Sequence, residues 1–230
     1  MLPVAILAGG LATRLRPITE TIPKALVEIN GQPFLGHQLE LLARSGIRRV
    51  VLCLGYRAEQ IQEYAGDGSS FGLHVDYCLD GPKLLGTAGA IRRALPQLGP
   101  SFFVLYGDSY LPCDYAAIEQ TFTGSGKAGL MTVFRNEGQW DVSNVEFRGG
   151  RIVAYDKSNR TAAMHHIDYG LGVFRREVFD AVPEGQPGDL AALYQDLLRR
   201  GELAAFEAAT RFYEIGSPEG IRELAELLAQ

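Results

Sequence analysis

Four short apolar runs, at residues 4–8, 49–54, 74–79 and 102–106, recur through the first half of the chain. A stretch of helical spacing separates each from the next, at 34–44, 58–64 and 87–95. Runs this short and this continuously apolar read as strands buried on both faces. Parallel strands need a crossover between them, usually a helix. The alternation therefore predicts a mainly parallel sheet covered by helices on both sides. In 34–44, Leu35, Leu39, Leu42 and Ala43 share one side, and Ser45-Gly46 reads as the C-cap. The helix at 87–95 stops before Pro96, and Gly107 bounds the fourth strand.

The second half changes character. Strands are predicted at 130–135, 142–147, 151–155 and 167–174, with Gly149-Gly150 as a hairpin turn between the second and third. Helices follow at 189–200 and 218–228, with short strands at 204–206 and 212–215. The expectation is one α/β unit over 1–230, three-layered (αβα) and Rossmann-like, with a mixed, mainly parallel sheet. Residues 1 to about 110 would form its nucleotide-binding part, and about 111–230 a pocket wall for a second substrate. Ligands would lie beyond the carboxyl ends of the early strands, as in other open α/β sheets.

Composition narrows the function. With 47% hydrophobic residues in a 230-residue chain, a full core can form without disulfides or structural metals. A formal charge of −5 argues against a nucleic-acid binder. It leaves anionic small molecules open, because a few local cations can serve one phosphate group. Cys53, Cys78 and Cys113 are odd in number and form no C-x-x-C pair. Buried reduced thiols in a reducing compartment are expected. The opening residues lack a basic n-region, and their apolar run is too short for a signal peptide or membrane span. A cytoplasmic protein is expected, where NTPs are available. No hexapeptide repeat signals an appended β-helix.

The most informative stretch is Leu7-Ala8-Gly9-Gly10-Leu11-Ala12-Thr13-Arg14-Leu15-Arg16-Pro17, directly after the first strand. Paired glycines let the backbone turn sharply and approach a ligand with no Cβ in the way. Such a loop can aim successive N–H groups at phosphate oxygens. Thr13 adds a hydroxyl, and Arg14 and Arg16 add guanidinium forks suited to phosphate. The plain alternative is a Gly-Gly turn with solvated arginines. The loop is neither G-x-G-x-x-G nor a Walker A sequence. Ten residues after Arg14, Lys24 follows Pro23 and precedes an apolar run. It reads as a surface charge or as a pinned cation converging on the same phosphates. Asp108, after the strand and Gly107, would point into the ligand crevice. It suits Mg²⁺, which takes one or two protein carboxylates plus substrate phosphates; the alternative is a turn-forming Asp beside Ser109.

The glycine loop, followed by Pro23-Lys24-Ala25-Leu26-Val27-Glu28-Ile29-Asn30-Gly31-Gln32-Pro33-Phe34, resembles the signature of the sugar-1-phosphate nucleotidyltransferase family. The resemblance extends over nearly the whole chain and implies the nucleotide-diphospho-sugar transferase fold. Ala12 replaces a common family glycine without removing a chemical group. The resemblance implies a catalytic set of Arg14, Lys24 and Asp108. It further implies nucleotide contacts at Leu7, Ala8, Gly9, Gly10, Thr13, Arg14, Gly86, Thr87 and Asp108. Gly86 and Thr87 come from Leu85-Gly86-Thr87-Ala88-Gly89-Ala90, which otherwise reads as a helix start capped by Thr87.

Sugar-phosphate contacts implied by the same likeness are Lys157, Asp168, Tyr169 and Gly170, and Lys24 and Asn144 are expected to join them. Trp140, Asp141 and Ser143 are further candidates for that pocket, against rim packing for Trp140. Asp156-Lys157 stands where the family has Glu-Lys, and Asp168-Tyr169-Gly170 differs from its usual sugar-contacting segment. Glu214, in Glu214-Ile215-Gly216-Ser217-Pro218-Glu219, stands at the family's second metal carboxylate, usually Asp. A strand-end Glu neutralising Arg14 or Lys24 is the alternative. His37, His74, His165 and His166 form no ligand pair, and no Ser/His/Asp or Cys/His grouping points to a covalent intermediate.

The expected reaction is transfer of a nucleoside monophosphate from an NTP to a sugar 1-phosphate, with Mg²⁺ as cofactor and pyrophosphate as co-product. Competing readings are a cytidylyltransferase for a non-sugar phosphate such as phosphocholine, a glycosyltransferase of related fold, and a non-catalytic nucleotide-sugar sensor. The glycosyltransferase would want D-x-D where this chain has Asp108-Ser109-Tyr110. No membrane or nucleic-acid partner is expected. The base, the sugar and the choice between monomer and homo-oligomer are left open.

Overall fold

The computed structural model describes residues 1–10, 15 and 17–230. Thr13, Arg14 and Arg16 therefore lie outside the described residues. In chain order the strands are β1 (Val4–Leu7), β2 (Glu28–Ile29), β3 (Gln32–Pro33), β4 (Arg49–Leu54), β5 (His74–Leu79), β6 (Ser101–Tyr106) and β7 (Ser109–Tyr110). They continue with β8 (Gly129–Arg135), β9 (Val145–Arg148), β10 (Arg151–Tyr155), β11 (His166–Arg175), β12 (Leu203–Glu207) and β13 (Tyr213–Glu214). The helices are α1 (Phe34–Arg44), α2 (Ala58–Ala65), α3 (Gly86–Ala94), α4 (Tyr115–Ser125), α5 (Leu190–Arg199) and α6 (Pro218–Leu228).

Among the described residues, nine strands form the main sheet. Parallel β5, β4, β1 and β6 run side by side. Then β11 enters antiparallel to both β6 and β8, and β12 continues parallel to β8. The β9–β10 hairpin attaches to the start of β11 through Val145 and His166. Its turn is Gly149-Gly150, both at positive φ (56° and 75°), as the sequence predicts. The order turns back on either side of β1, which puts a topological switch point at the carboxyl ends of β1, β4 and β6.

Successive strand residues face opposite sides, and both sides are apolar. Val4, Ile6, Val50, Leu52, Phe103 and Leu105 pack against α1, α2 and α4. Ala5, Val51, Cys53, Phe102 and Val104 pack against α3 and α5. This is the three-layer architecture the alternation predicts. A smaller cluster of Ile29, Phe34, Tyr110, Ile215 and Leu224 seats α6 over β2, β7 and β13. The α1 C-cap is as expected: Gly46 is at φ +88°, and the Ile47 amide donates to Leu42 O at 3.1 Å.

Helix α4, the β2–β3 hairpin and the short strand β7 are absent from the sequence expectation. Helix α4 contains Thr121, Thr123 and Gly124, which weaken its helical pattern. It forms because the Asp114 carboxylate caps the Ala117 amide and Ile118 and Phe122 are buried. The β2–β3 hairpin turns on Asn30-Gly31, both at positive φ, a strong hairpin signal. In the other direction, the strand expected at 142–147 begins only at Val145. Residues 137–143 instead form an irregular segment, with Asn136 Nδ2 donating to Ser143 Oγ at 3.4 Å.

Candidate functional site

A cavity of about 410 Å³ opens at the switch point. Leu7, Ala8, Gly9 and Gly10 from the end of β1, Cys53 from β4, and Tyr106, Gly107 and Asp108 from β6 line it. Lys24, Gly86 and Thr87 complete the wall with Asp80 and Gly216. Backbone bonds hold the strand ends together: Ala8 N donates to Cys53 O at 2.9 Å, and Gly107 N to Leu7 O at 3.0 Å. A Cβ on Gly107 would stand 2.5 Å from Leu7 O and 2.9 Å from Ala8 Cα. Only glycine lets the two strand tips approach this closely. Gly107→Ala is expected to cost about 1–3 kcal/mol of stability through overpacking. Turnover should fall by roughly tenfold or more as the tips separate. Thermal unfolding and pyrophosphate release check this; a variant matching the wild type in both would show that the close approach is not needed.

Lys24 and Asp108 meet in this cavity. Lys24 Nζ donates to Asp108 Oδ2 at 2.7 Å, with the lysine side chain 16% exposed. Pro23, at φ −68°, leads into a 3₁₀ turn at Lys24–Leu26, and Ala25 and Val27 are buried. The lysine is thus paired within the cavity, set on an anchored turn. The other carboxylate oxygen, Asp108 Oδ1, accepts from the Ser109 hydroxyl at 3.5 Å.

The β13 backbone brings Glu214 beside the turn that carries Asp108. Strand β13 pairs antiparallel with β7, placing Glu214 opposite Ser109, and Ile215 N donates to Asp108 O at 3.0 Å. Burial pushes the Tyr106 phenol well above its ordinary range, and the carboxylates of Asp168, Asp189, Asp108 and Glu214 push it further. Among the described residues no three His, Cys, Asp or Glu side chains gather as a ready-made metal site. Asp108 is the carboxylate in the cavity wall, and Glu214 stands across the β7–β13 pairing from Ser109. Such a set fits Mg²⁺, which usually completes its octahedron with waters and substrate phosphates.

At the other wall, the Thr87 hydroxyl accepts from Leu190 N at 2.8 Å and donates to Asp189 Oδ1 at 3.3 Å. It ties α3 to the start of α5, so Thr87 does not cap its own helix. Gly86 and Thr87 line the cavity at the start of α3. Asp80 is a wall residue that the sequence reading missed. It is 6% exposed, and its Oδ2 accepts from Leu85 N at 3.0 Å. Burial raises its carboxyl, opposed by the Leu85 amide and by Arg93. The Asp80-Gly81 turn signal after β5 was the available clue.

The remaining acceptor candidates cluster behind Tyr106. Lys157 Nζ lies 5.5 Å from the Tyr106 ring centroid and 3.9 Å from Asp168 Oδ2. Asp168 is buried, and accepts from Gly170 N at 3.1 Å and from the Tyr155 hydroxyl at 3.3 Å. Burial raises its carboxyl, while Lys157, the Gly170 amide and Tyr155 oppose the shift. Asn144 Oδ1 accepts from Asp168 N at 3.0 Å. Asn144, Lys157, Asp168 and Gly170 therefore converge. Tyr169 does not. As the next residue on β11 it faces the opposite side of the sheet, packed among Phe134 and Phe212 with 1% exposure. Trp140 packs on Phe134 and on the Arg211 guanidinium, 4.4 Å from its ring, which is rim packing. Asp141 is exposed, and the Ser143 hydroxyl accepts from Gly138 N at 3.2 Å within the same segment.

Cys53 and Cys78 are buried and free, and burial pushes the Cys113 thiol up to about 12. His37 bonds Ile29 O at 2.9 Å, His74 and His165 are exposed, and His166 bonds Glu207 at 3.0 Å.

The chain belongs to the nucleotidyl transferase family, whose model matches residues 4–229. It is 29% identical over 228 residues to the N-acetylmuramate alpha-1-phosphate uridylyltransferase of Neisseria meningitidis serogroup B, covering 96% of each chain. It is 30% identical over 235 residues to the low-salt glycan biosynthesis nucleotidyltransferase Agl11 of Haloferax volcanii, covering 98% of this chain but 65% of that one. Among solved structures, HddC from Yersinia pseudotuberculosis, complexed with GMP-PN, superposes with a TM-score of 0.82 at 25% identity. That match covers 99% of this chain and all of the other. Among the described residues no helix is long and apolar enough to cross a membrane.

Proposed function

We propose that this protein transfers a nucleoside monophosphate from an NTP to a sugar 1-phosphate and releases pyrophosphate. The observation that carries the reading is the cavity in which Gly9–Gly10 backbone, Lys24 and Asp108 face one space. The sugar 1-phosphate uridylyltransferase among its relatives supports the acceptor class. Residues 1 to about 110 would hold the nucleotide and about 111–230 the acceptor, in a single unit working in the cytoplasm.

The acceptor's phosphate is already largely dianionic at pH 7, since a phosphate monoester's second pKa is about 6. Its oxygen can attack the α-phosphorus in line without a general base. The protein's task is then positioning and charge neutralisation. Gly9 and Gly10 amides, with Thr13 and Arg14, take the β- and γ-phosphates. Lys24 neutralises the α-phosphate. Lys157, held by Asp168 and the Tyr106 ring, steadies the incoming phosphate, with the Gly170 amide fixing that carboxylate and Asn144 holding the Asp168 backbone. Gly86 and Thr87 backbone, beside Asp80, borders the base. Asp108 and Glu214 would hold Mg²⁺, which when bound neutralises phosphate charge and orients its oxygens.

A matrix of NTPs against sugar 1-phosphates, scored by pyrophosphate release with and without Mg²⁺, tests the reading. At least one pair should turn over, dependent on both substrates and on the metal. Phosphocholine belongs in the matrix as a non-sugar acceptor. Nucleotide binding with no release for any pair would overturn the proposal in favour of a sensor.

A further inference from the structure

Helix α1 buries one polar side chain on its otherwise apolar inner face. Gln38 is 1% exposed beside Phe34, Leu35, Leu39 and Leu42. Its Nε2 donates to Ser109 O at 2.8 Å and to Tyr106 O at 3.3 Å. Those carbonyls bracket Gly107-Asp108, the turn between β6 and β7. The amide's orientation follows from its partners, since an oxygen placed between two carbonyl oxygens would be repelled. Gln38 Oε1 itself is buried with no hydrogen-bond partner. An apolar residue would fill this position on α1 without that unsatisfied oxygen. What the glutamine adds is a pair of donors for two buried carbonyls.

We propose that Gln38 is a positioning residue for the metal-binding carboxylates, clamping the turn that presents Asp108 and the strand that carries Glu214. The second part follows from register. Ser109, whose carbonyl is clamped, is the β7 residue opposite Glu214, and Asp108 O accepts from Ile215 N. One side chain on α1 thereby fixes the spacing of both acids from beneath, without touching substrate. This rests on the reading that Asp108 holds a divalent cation.

Gln38→Met keeps the length and removes both donors. Mn²⁺ affinity, read by calorimetry or electron paramagnetic resonance on the complex with a non-hydrolysable NTP analogue, should weaken about tenfold. Affinity for the analogue without metal should stay within about twofold. Gln38→Glu, nearly the same shape, guards against misfolding of the first variant and should weaken Mn²⁺ binding severalfold. Leu42→Ala, a buried α1 change away from the turn, is the control; it should lower the melting temperature and leave Mn²⁺ affinity unchanged. Equal Mn²⁺ affinity in wild type and the Gln38 variants would overturn the proposal, as would an equal loss in Leu42→Ala. If Asp108→Asn also leaves Mn²⁺ affinity unchanged, the metal reading itself falls, and this inference with it. If only Asp108→Asn weakens binding, the metal reading stands and Gln38 is structural.

Discussion

Asp108→Asn should lower turnover by about 10²–10³, equivalent to roughly 2.7–4 kcal/mol of transition-state stabilisation, while the fold survives. The substitution removes one negative charge and almost no volume. An Asn side-chain oxygen can still accept from Lys24 Nζ, and the backbone contacts of the turn, Gly107 N to Leu7 O and Ile215 N to Asp108 O, do not involve the carboxylate. The melting temperature should therefore move little. Metal-dependent nucleotide binding should weaken, because Mg²⁺ prefers an anionic oxygen donor and Glu214 would be left as the only carboxylate of the pair. Steady-state pyrophosphate release at several metal concentrations separates the two effects: added metal should recover part of the loss. Turnover within a few-fold of wild type at low metal would remove Asp108 from the catalytic set.

Lys24→Ala should cost about 10²–10³ in turnover as well, with the opposite effect on metal binding. In the free protein Lys24 sits against Asp108 Oδ2 at 2.7 Å, the position a cation would take. On the proposed reading, a bound triphosphate would offer the lysine phosphate oxygens instead, leaving Asp108 to hold a divalent cation. Deleting the ammonium removes a competitor from Asp108, so divalent-ion affinity of the nucleotide-free protein should rise severalfold. On that reading it would also remove the charge that neutralises the α-phosphate, and turnover should fall. Lys24→Arg should not restore it, because a planar guanidinium cannot replace a compact ammonium on the same turn. Mn²⁺ titration of the free protein and pyrophosphate release together check this. Metal affinity and turnover falling in parallel would mean that Lys24 supports the metal instead of exchanging with it.

Residues close in sequence, or repeated with a fixed period, were read well. Strands β4, β5 and β10 and helices α1 and α6 match their expected bounds because continuous apolar runs and 3.6-residue spacing are local properties. Gly9, Gly10 and Asp108 follow β1 and β6 directly, so their place in the crevice is a local feature of the sequence, whereas Lys24 is local only as one of two readings, a surface charge or a pinned cation. Asp80 and Gln38 escaped because a lone Asp before a glycine, or a lone Gln in a helix, has no local pattern that separates a wall or clamp residue from a solvated one.

The amino-acid order by itself determined the layered architecture, the crevice at the strand ends and the chemical kinds of group available there. Tertiary packing alone decided which of those groups meet. Asp168 and Tyr169 are neighbours in the chain, yet the pleat sends one towards Lys157 and the other into the aromatic core. Lys24 and Asp108 are 84 positions apart, yet lie at hydrogen-bonding distance. Period and composition fix what a segment can become. Contacts across such separations depend on how whole elements pack, which no local window contains.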